Sequence, residues 1–293
     1  MIPLNTALIR ELSLLPDRPK IMVIGETDTG KSTVVKALAH WFQEQSQNVT
    51  VVDSDIGQSD IGPPGFVSCG ILTWDTTFPH LITNGGSYLV GKTSPYGREL
   101  SVVTGTKICV EAAQRSKTDA ILIDTCGLVK PARGVQIKCA KAEMVKPDLI
   151  LALNTPELTP LVNCLNSLGF RVRNFLPSRK AQTKPAEIRK ENRISRWNAY
   201  IGNNPSLLGI HHSHIVIRQW WDESRYVDID QIPHGTVAAI QDPRTPEFQI
   251  PCVWTVSEDN PFVLAPLPGD YKLGTIWITA YQLELNGTTV ISA

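Results

Sequence analysis

Four short apolar runs, rich in β-branched residues, mark the first half of the chain. They are Lys20-Ile-Met-Val-Ile24, Val49-Thr-Val-Val52, Ala120-Ile-Leu-Ile123 and Asp148-Leu-Ile-Leu-Ala-Leu153. Each is nearly continuously apolar and is followed by Gly, Asp, Thr or Asn, as strands buried on both faces of a parallel sheet are. Between them, 32–45, 107–114 and 135–145 carry apolar residues at helical spacing. Strands alternating with helices predict βαβ units and a doubly wound, mainly parallel α/β sheet, with functional residues just beyond the carboxyl ends of the strands. After Pro205 the pattern changes to short segments at 214–217, 236–240 and 275–281, separated by Pro, Gly, Asn and Asp turns. The predicted organisation is an α/β domain over 1–204 and a small β-rich module over 205–293.

Composition narrows the class. The chain has 293 residues, 42% of them hydrophobic and 19% charged, and its formal net charge is zero. That permits a sizeable core and excludes a disordered chain. No apolar run is long enough to span a bilayer, and the N-terminus has neither a basic start nor a long apolar stretch. A cytoplasmic protein with no membrane association is expected. The six cysteines contain no CxxC pair, so reduced thiols are expected instead of a disulfide or zinc framework.

The chemistry begins at Gly25-Glu-Thr-Asp-Thr-Gly30-Lys31-Ser32, which fits GxxxxGK[ST] directly after one apolar strand and at the start of a helix. Glycines let such a loop aim backbone N–H groups and a helix N-terminus at a phosphate. Lys31 then neutralises phosphate oxygens and the Ser32 hydroxyl ligates Mg²⁺. Thr27, Asp28, Thr29 and Thr33 complete the expected nucleotide cradle. A second carboxylate is needed near the metal, and Asp53 and Asp55 alternate at the end of the next strand, so one of them is expected to reach it.

Further along stand Asp53-Ser-Asp55-Ile-Gly57-Gln58, Gly62-Pro-Pro-Gly65, Gly91-Lys-Thr93-Ser-Pro95, Ile123-Asp124-Thr125-Cys126-Gly127 and Gly134-Val-Gln136. With the P-loop they resemble, in order, the motifs of the Clp1/Grc3 family of polynucleotide 5′-hydroxyl kinases. The resemblance covers residues 21–200. It implies ATP and Mg²⁺ as cofactors and an RNA or DNA 5′-hydroxyl end as acceptor. It makes Asp55 the carboxylate that aligns or deprotonates that hydroxyl and, with Ser32, holds the metal. Gln58, Thr125, Cys126, Gly127 and Gln136 would shape the acceptor channel. Leu128 departs from the family, which usually has tryptophan there; a stacking platform worth about 1–3 kcal/mol per base in single-strand binders is therefore missing. The resemblance also implies a compact, prokaryote-like member without the β-rich N-terminal domain of eukaryotic relatives.

Charge is unevenly distributed. Between 171 and 196, nine basic residues (Arg171, Arg173, Arg179, Lys180, Lys184, Arg189, Lys190, Arg193 and Arg196) face only Glu187 and Glu191. Pro185 and Glu187 suit a helix start. On that helix Arg189, Arg193 and Arg196 share one face. Guanidinium groups over a P-loop would stabilise the charge on a transferring phosphoryl group. The family resemblance adds a lid here, taken as 171–200, with Arg189 and Arg193 as catalytic residues and Arg196 on the acceptor. The wider segment 130–196 carries nine more basic than acidic residues, so the zero net charge does not exclude a polyanionic substrate.

Three other features are discounted. His211-His212-x-His214 lacks the acidic or Cys neighbours of a metal site. Trp220, Trp221, Trp254 and Trp277 are expected in the C-terminal core. Cys126 has no His partner that would make it a nucleophile. Alternatives to a polynucleotide kinase are a P-loop ATPase or kinase acting on a small-molecule acceptor, and a nucleotide-dependent assembly factor. A GTPase switch is disfavoured, because Asn154-Thr-Pro-Glu157 stands where a guanine motif would be.

Overall fold

The computed structural model describes residues 4, 6–72, 83–130, 132–176, 183–202, 205–211, 217–219, 222–257, 260–267 and 271–293. In chain order the elements of the first half are α1 (Thr6–Leu12), β1 (Lys20–Gly25), α2 (Lys31–Gln43), β2 (Val49–Ser54), β3 (Phe66–Leu72), β4 (Thr83–Leu89), α3 (Glu99–Arg115), β5 (Ala120–Thr125), α4 (Ala132–Val145) and β6 (Leu149–Leu153). They are followed by α5 (Thr159–Ser167), β7 (Val172–Phe175), α6 (Ala186–Ile201), β8 (Ser206–Gly209), β9 (Ile217–Gln219) and β10 (Asp222–Tyr226). The chain closes with β11 (Thr236–Gln241), β12 (Gln249–Ser257), β13 (Asn260–Ala265), β14 (Ile276–Gln282), β15 (Glu284–Asn286) and β16 (Thr289–Ser292).

Two compact units result. One comprises 1–55, 67–85 and 99–184; the other comprises 56–66, 86–98 and 185–293. The expected junction at 204/205 falls inside the second, which also takes two pieces of the N-terminal half.

In the first unit the strand order is β3-β2-β5-β1-β6-β7. All neighbours are parallel except β2 and β3, which run antiparallel. All residues of β2, β5 and β6 are buried, so the apolar runs seen in the sequence form the centre of the sheet. From β1 the chain steps past β5 to β2; from β5 it steps past β1 to β6. Right-handed crossovers then put α2 and α4 on opposite faces, and the β1–α2 loop opens at the point of reversal.

Strand β3 and helix α3 are among the elements that exceed the sequence reading. Strand β3 is absent from it because Ser68 and Gly70 interrupt the apolar pattern; pairing with β2 from Val49↔Leu72 to Asp53↔Ser68 satisfies its backbone instead. Helix α3 begins eight residues before the predicted 107, through Ser101, Thr104 and Gly105. Packing overrides weak propensity there, because Gly105 and Thr106 are buried and the Thr106 hydroxyl donates to Val102 O at 2.6 Å.

The second unit is built on an antiparallel meander. Strand β11 lies between β14 and β12, β12 also pairs with β13, and β13 with β8. One core gathers Trp254, Ile240, Ile276 and Ile278; another gathers Phe66, Trp197, Val237, Val253 and Leu264. Trp254 therefore fills the core as expected. Trp277 is only partly buried and donates its indole N–H to Gln241 Oε1 at 2.9 Å. Trp197 meets Phe66 edge-on with centroids 6.2 Å apart, anchoring α6 to this unit. Asn198 secures the same helix by exchanging hydrogen bonds of 2.9 and 2.8 Å with the backbone of Val290. His212, His214, Trp220 and Trp221 lie outside the described residues.

Candidate active site

The β1–α2 loop carries its sequence requirements in its backbone. Asp28 and Gly30 both have positive φ, 60° and 97°. A Cβ on Gly25 would come within 2.7 Å of Thr29 Oγ1. The Thr29 hydroxyl and the Lys31 ammonium both donate to Glu26 O, at 2.8 and 2.7 Å, and brace the loop from within. Helix α2 has no side-chain cap at Gly30, so its first N–H groups remain available to an anion. Lys31 is buried, and burial lowers its pKa from the usual 10.5 despite the opposing pull of Asp124 and Asp55. Lys184 N donates to Asp28 Oδ2 at 2.9 Å, tying the segment before α6 to the loop. Thr27 and Thr33 are exposed.

Opposite the loop stands a carboxylate to which the sequence reading gave no role. Ser32 Oγ donates to Asp124 Oδ2 at 2.7 Å. Asp124 is itself buried at the end of β5, and its Oδ1 accepts from Thr125 N at 2.8 Å. The signal was present in the chain, because Asp124 directly follows the apolar run Ala120–Ile123. Asp53 is its neighbour across the β2–β5 ladder and is also buried. Asp53 Oδ1 accepts from Asp55 N at 2.9 Å, just past the strand end.

The turn after β5 presses on the loop. A Cβ on Gly127 would lie 2.2 Å from Thr27 Oγ1 and 2.4 Å from Thr27 N, so only glycine fits. The Thr125 hydroxyl donates to Val23 O at 2.8 Å and ties the turn to β1. Gly134 plays the same part at the start of α4, where a Cβ would meet Val129 C at 2.5 Å. Gln136 is exposed on α4.

Beneath this turn α4 inserts two lysines that are fully buried, Lys138 and Lys141. Lys138 Nζ donates to Cys126 O at 2.6 Å and to Cys126 Sγ at 3.2 Å. Lys141 Nζ donates to Ser54 Oγ at 2.6 Å, and Ser54 Oγ donates to Asp124 O at 2.7 Å. Burial, reinforced by Lys138, pulls Lys141 down to about 7. Burial pushes the Cys126 thiol up, but the two ammonium groups outweigh it and its pKa falls below 9.0. Cys126 is therefore an electrostatic partner of Lys138, a role that sequence spacing could not reveal.

The basic excess over 130–196 does not all lie on the surface. Two of its cations are interior, and others face acids. Lys130 lies 3.3 Å from Glu157 and Arg133 lies 3.7 Å from Glu99. Arg171 and Arg173 both pair with Glu11 of α1, so they belong to the β7 edge and not to a helical lid. Arg179 and Lys180 lie outside the described residues.

In the second unit α6 starts at Ala186 with Pro185 at its N-cap, and Arg189, Arg193 and Arg196 share a half-buried face. Gln58 braces that helix: its Nε2 donates to Arg189 O at 3.1 Å and its Oε1 accepts from Asn192 Nδ2 at 3.3 Å. Arg196 pairs with Asp60 at 2.7 Å, and Arg193 Nη2 donates to Ala293 O at 3.2 Å.

The family model of the mRNA cleavage and polyadenylation factor CLP1 P-loop matches residues 25–203. This chain belongs to the CLP1 P-loop family. Among its relatives, the polyribonucleotide 5′-hydroxyl-kinase of Pyrococcus horikoshii is 34% identical over 197 residues, 66% of this chain and 53% of that protein. The one from Methanocaldococcus jannaschii is 34% identical over 202 residues, 68% of this chain and 54% of its own length. Clp1 of Xenopus tropicalis, named a polyribonucleotide 5′-hydroxyl-kinase, is 28% identical over 197 residues, 62% of this chain and 44% of that protein. This CLP1-family chain spans about half the length of the curated relatives it matches. A solved Clp1p–Pcf11p complex shares the fold, with a TM-score of 0.69 at 13% identity, covering 94% of this chain and 76% of that one. Among the described residues no helix is long and apolar enough to cross a membrane.

Proposed function

We propose that this CLP1-family chain is an ATP-dependent polynucleotide kinase that transfers the γ-phosphate to the 5′-hydroxyl of RNA or DNA. The observation that carries the reading is the Ser32–Asp124 hydrogen bond beside an uncapped helix N-terminus and a buried Lys31. That combination suits a metal-bound triphosphate, and the relatives' names supply the acceptor.

The donor set fits Mg²⁺. Among the described residues no cluster of three His, Cys, Asp or Glu side chains could hold a metal unaided. Mg²⁺ commonly uses one or two carboxylates together with substrate phosphates, all through oxygen. Ser32, Asp124 and Asp55 would hold it, and the ion would supply positive charge against the charge that develops on the phosphates. The loop N–H groups and those of α2 bind the phosphates, and Lys31 neutralises them from below. Asp55 receives or orients the proton of the 5′-hydroxyl. The family resemblance assigns Thr125, Cys126, Gly127 and Gln136 of the first unit, and Gln58 and Arg196 of the second, to the acceptor, and Arg189 and Arg193 to the charge on the transferring group. Their common face on α6 supports this assignment, as does the hold of Gln58 on Arg189 O.

The test is transfer of label from γ-labelled ATP to 5′-hydroxyl RNA and DNA oligonucleotides, with Lys31→Ala and Asp55→Asn as controls. Label on an oligonucleotide, abolished by both substitutions, supports the kinase. ATP hydrolysis with no labelled oligonucleotide overturns it and leaves a small-molecule acceptor or an assembly role.

A further inference from the structure

Two cysteines 25 positions apart meet in the first unit. Cys139 of α4 donates its S–H to Cys164 Sγ of α5 at 3.2 Å. Both residues line a cavity of about 600 Å³, together with Val129, Val135, Pro156 and Pro160 and the polar Gln136 and Glu157. A disulfide needs an S–S distance of about 2.05 Å, so the two sulfurs have only about 1 Å to close. The other close pair, Cys69 and Cys109, is buried on both sides, so an oxidant has no comparable route to it.

We propose that Cys139 and Cys164 are a redox modification site, forming a reversible disulfide that pins α4 to α5 across this cavity. The oxidant is a hydroperoxide or a low-molecular-weight disulfide that enters the cavity. Cys164 is the half-buried member and the attacking sulfur; burial and the neighbouring thiol push Cys139 up to about 12 and keep it protonated until the second step. With hydrogen peroxide, the Cys164 sulfur breaks the O–O bond and takes one oxygen as a sulfenic acid, releasing water. The Cys139 sulfur then displaces the sulfenic oxygen, which leaves as water with the Cys139 proton. Two thiols and one peroxide give one disulfide and two waters; the thiols lose two electrons and the peroxide gains them.

Because α4 also carries Lys138 and Lys141, the bond fixes the helix that supports the Cys126 turn. Its formation does not depend on the kinase reading.

The test is peptide mapping of the full chain after exposure to hydrogen peroxide or oxidised glutathione, with free thiols blocked by iodoacetamide. A cross-linked peptide pair joining Cys139 to Cys164 is expected, lost on treatment with dithiothreitol and absent from Cys164→Ser. Thiols titratable after denaturation should fall from the six of the sequence to four. The oxidised wild type should melt at a higher temperature than the reduced one, and Cys164→Ala, the milder half-buried change, should abolish the increase. Recovery of Cys139 and Cys164 as separate alkylated or sulfinic peptides overturns the proposal, as does a bond between Cys69 and Cys109 instead.

Discussion

Ser32 Oγ and Asp124 Oδ2 lie 2.7 Å apart although 92 residues separate them in the chain. One opens α2 and the other ends β5, and they meet because β5 is the parallel neighbour of β1. The hydroxyl and the carboxylate therefore act as a unit. Asp124→Asn and Ser32→Ala should each lower kcat by on the order of 100-fold or more, as losing one electrostatic contact to a transition state does. The double variant should be little worse than either alone. Full additivity in single-turnover rates would show that the two groups act separately.

Gly127→Ala places a methyl group against the backbone of Thr27. Thr27 belongs to the phosphate loop, so the loop itself must shift. The variant should lose roughly 1–3 kcal/mol of folding stability through overpacking. Its ATP affinity should fall by more than the stability loss explains at temperatures where it remains folded. Calorimetric binding together with urea denaturation measures both, and unchanged ATP affinity would refute the contact.

Lys141 links stability to pH. Its folded pKa is about 7 against an ordinary 10.5, so between these values the unfolded chain holds the extra proton. Stability then rises with pH. The cost of burying the charge is complete below about pH 7 and fades as pH approaches 10.5. Relative to Lys141→Met, the wild type should gain about 2 kcal/mol between pH 7 and 9. Denaturant titrations of both proteins at the two pH values read the difference; parallel pH profiles would mean that Lys141 does not titrate in this range.

Arg193 and Gln58 test the helix in the second unit. Arg193→Ala should reduce kcat far more than it raises the KM for ATP, by on the order of 100-fold for a charge-stabilising arginine. Gln58→Ala removes the hydrogen bonds to Arg189 O and Asn192. It should lower kcat less than Arg193→Ala, and should raise hydrogen exchange in the first turns of α6. A loss confined to KM in both variants would place α6 in ATP binding alone.

The contrast between Lys31 and Lys138 shows how far sequence reading extends. Lys31 sits in a local pattern of glycine, hydroxyl and strand that fixes its place within eight residues. Lys138 looks like any helix-surface cation, and only the approach of α4 to the β5 turn buries it. Gly127 and Gly134 make the same point: each belongs to a recognisable motif, yet the reason that no side chain fits is a contact with another segment. Asp124 falls between the two cases, because its position after an apolar run was visible but its bond to Ser32 was not.

By itself the sequence determined the parallel sheet centre, the phosphate loop and the helix that presents Arg189, Arg193 and Arg196, because periodicity and turn chemistry act over short stretches of chain. Only the tertiary structure decided which carboxylate meets Ser32, which basic residues are interior and which cysteines touch. Each of these depends on the strand order and on one helix packing against a distant turn, and neither leaves a local trace in the chain.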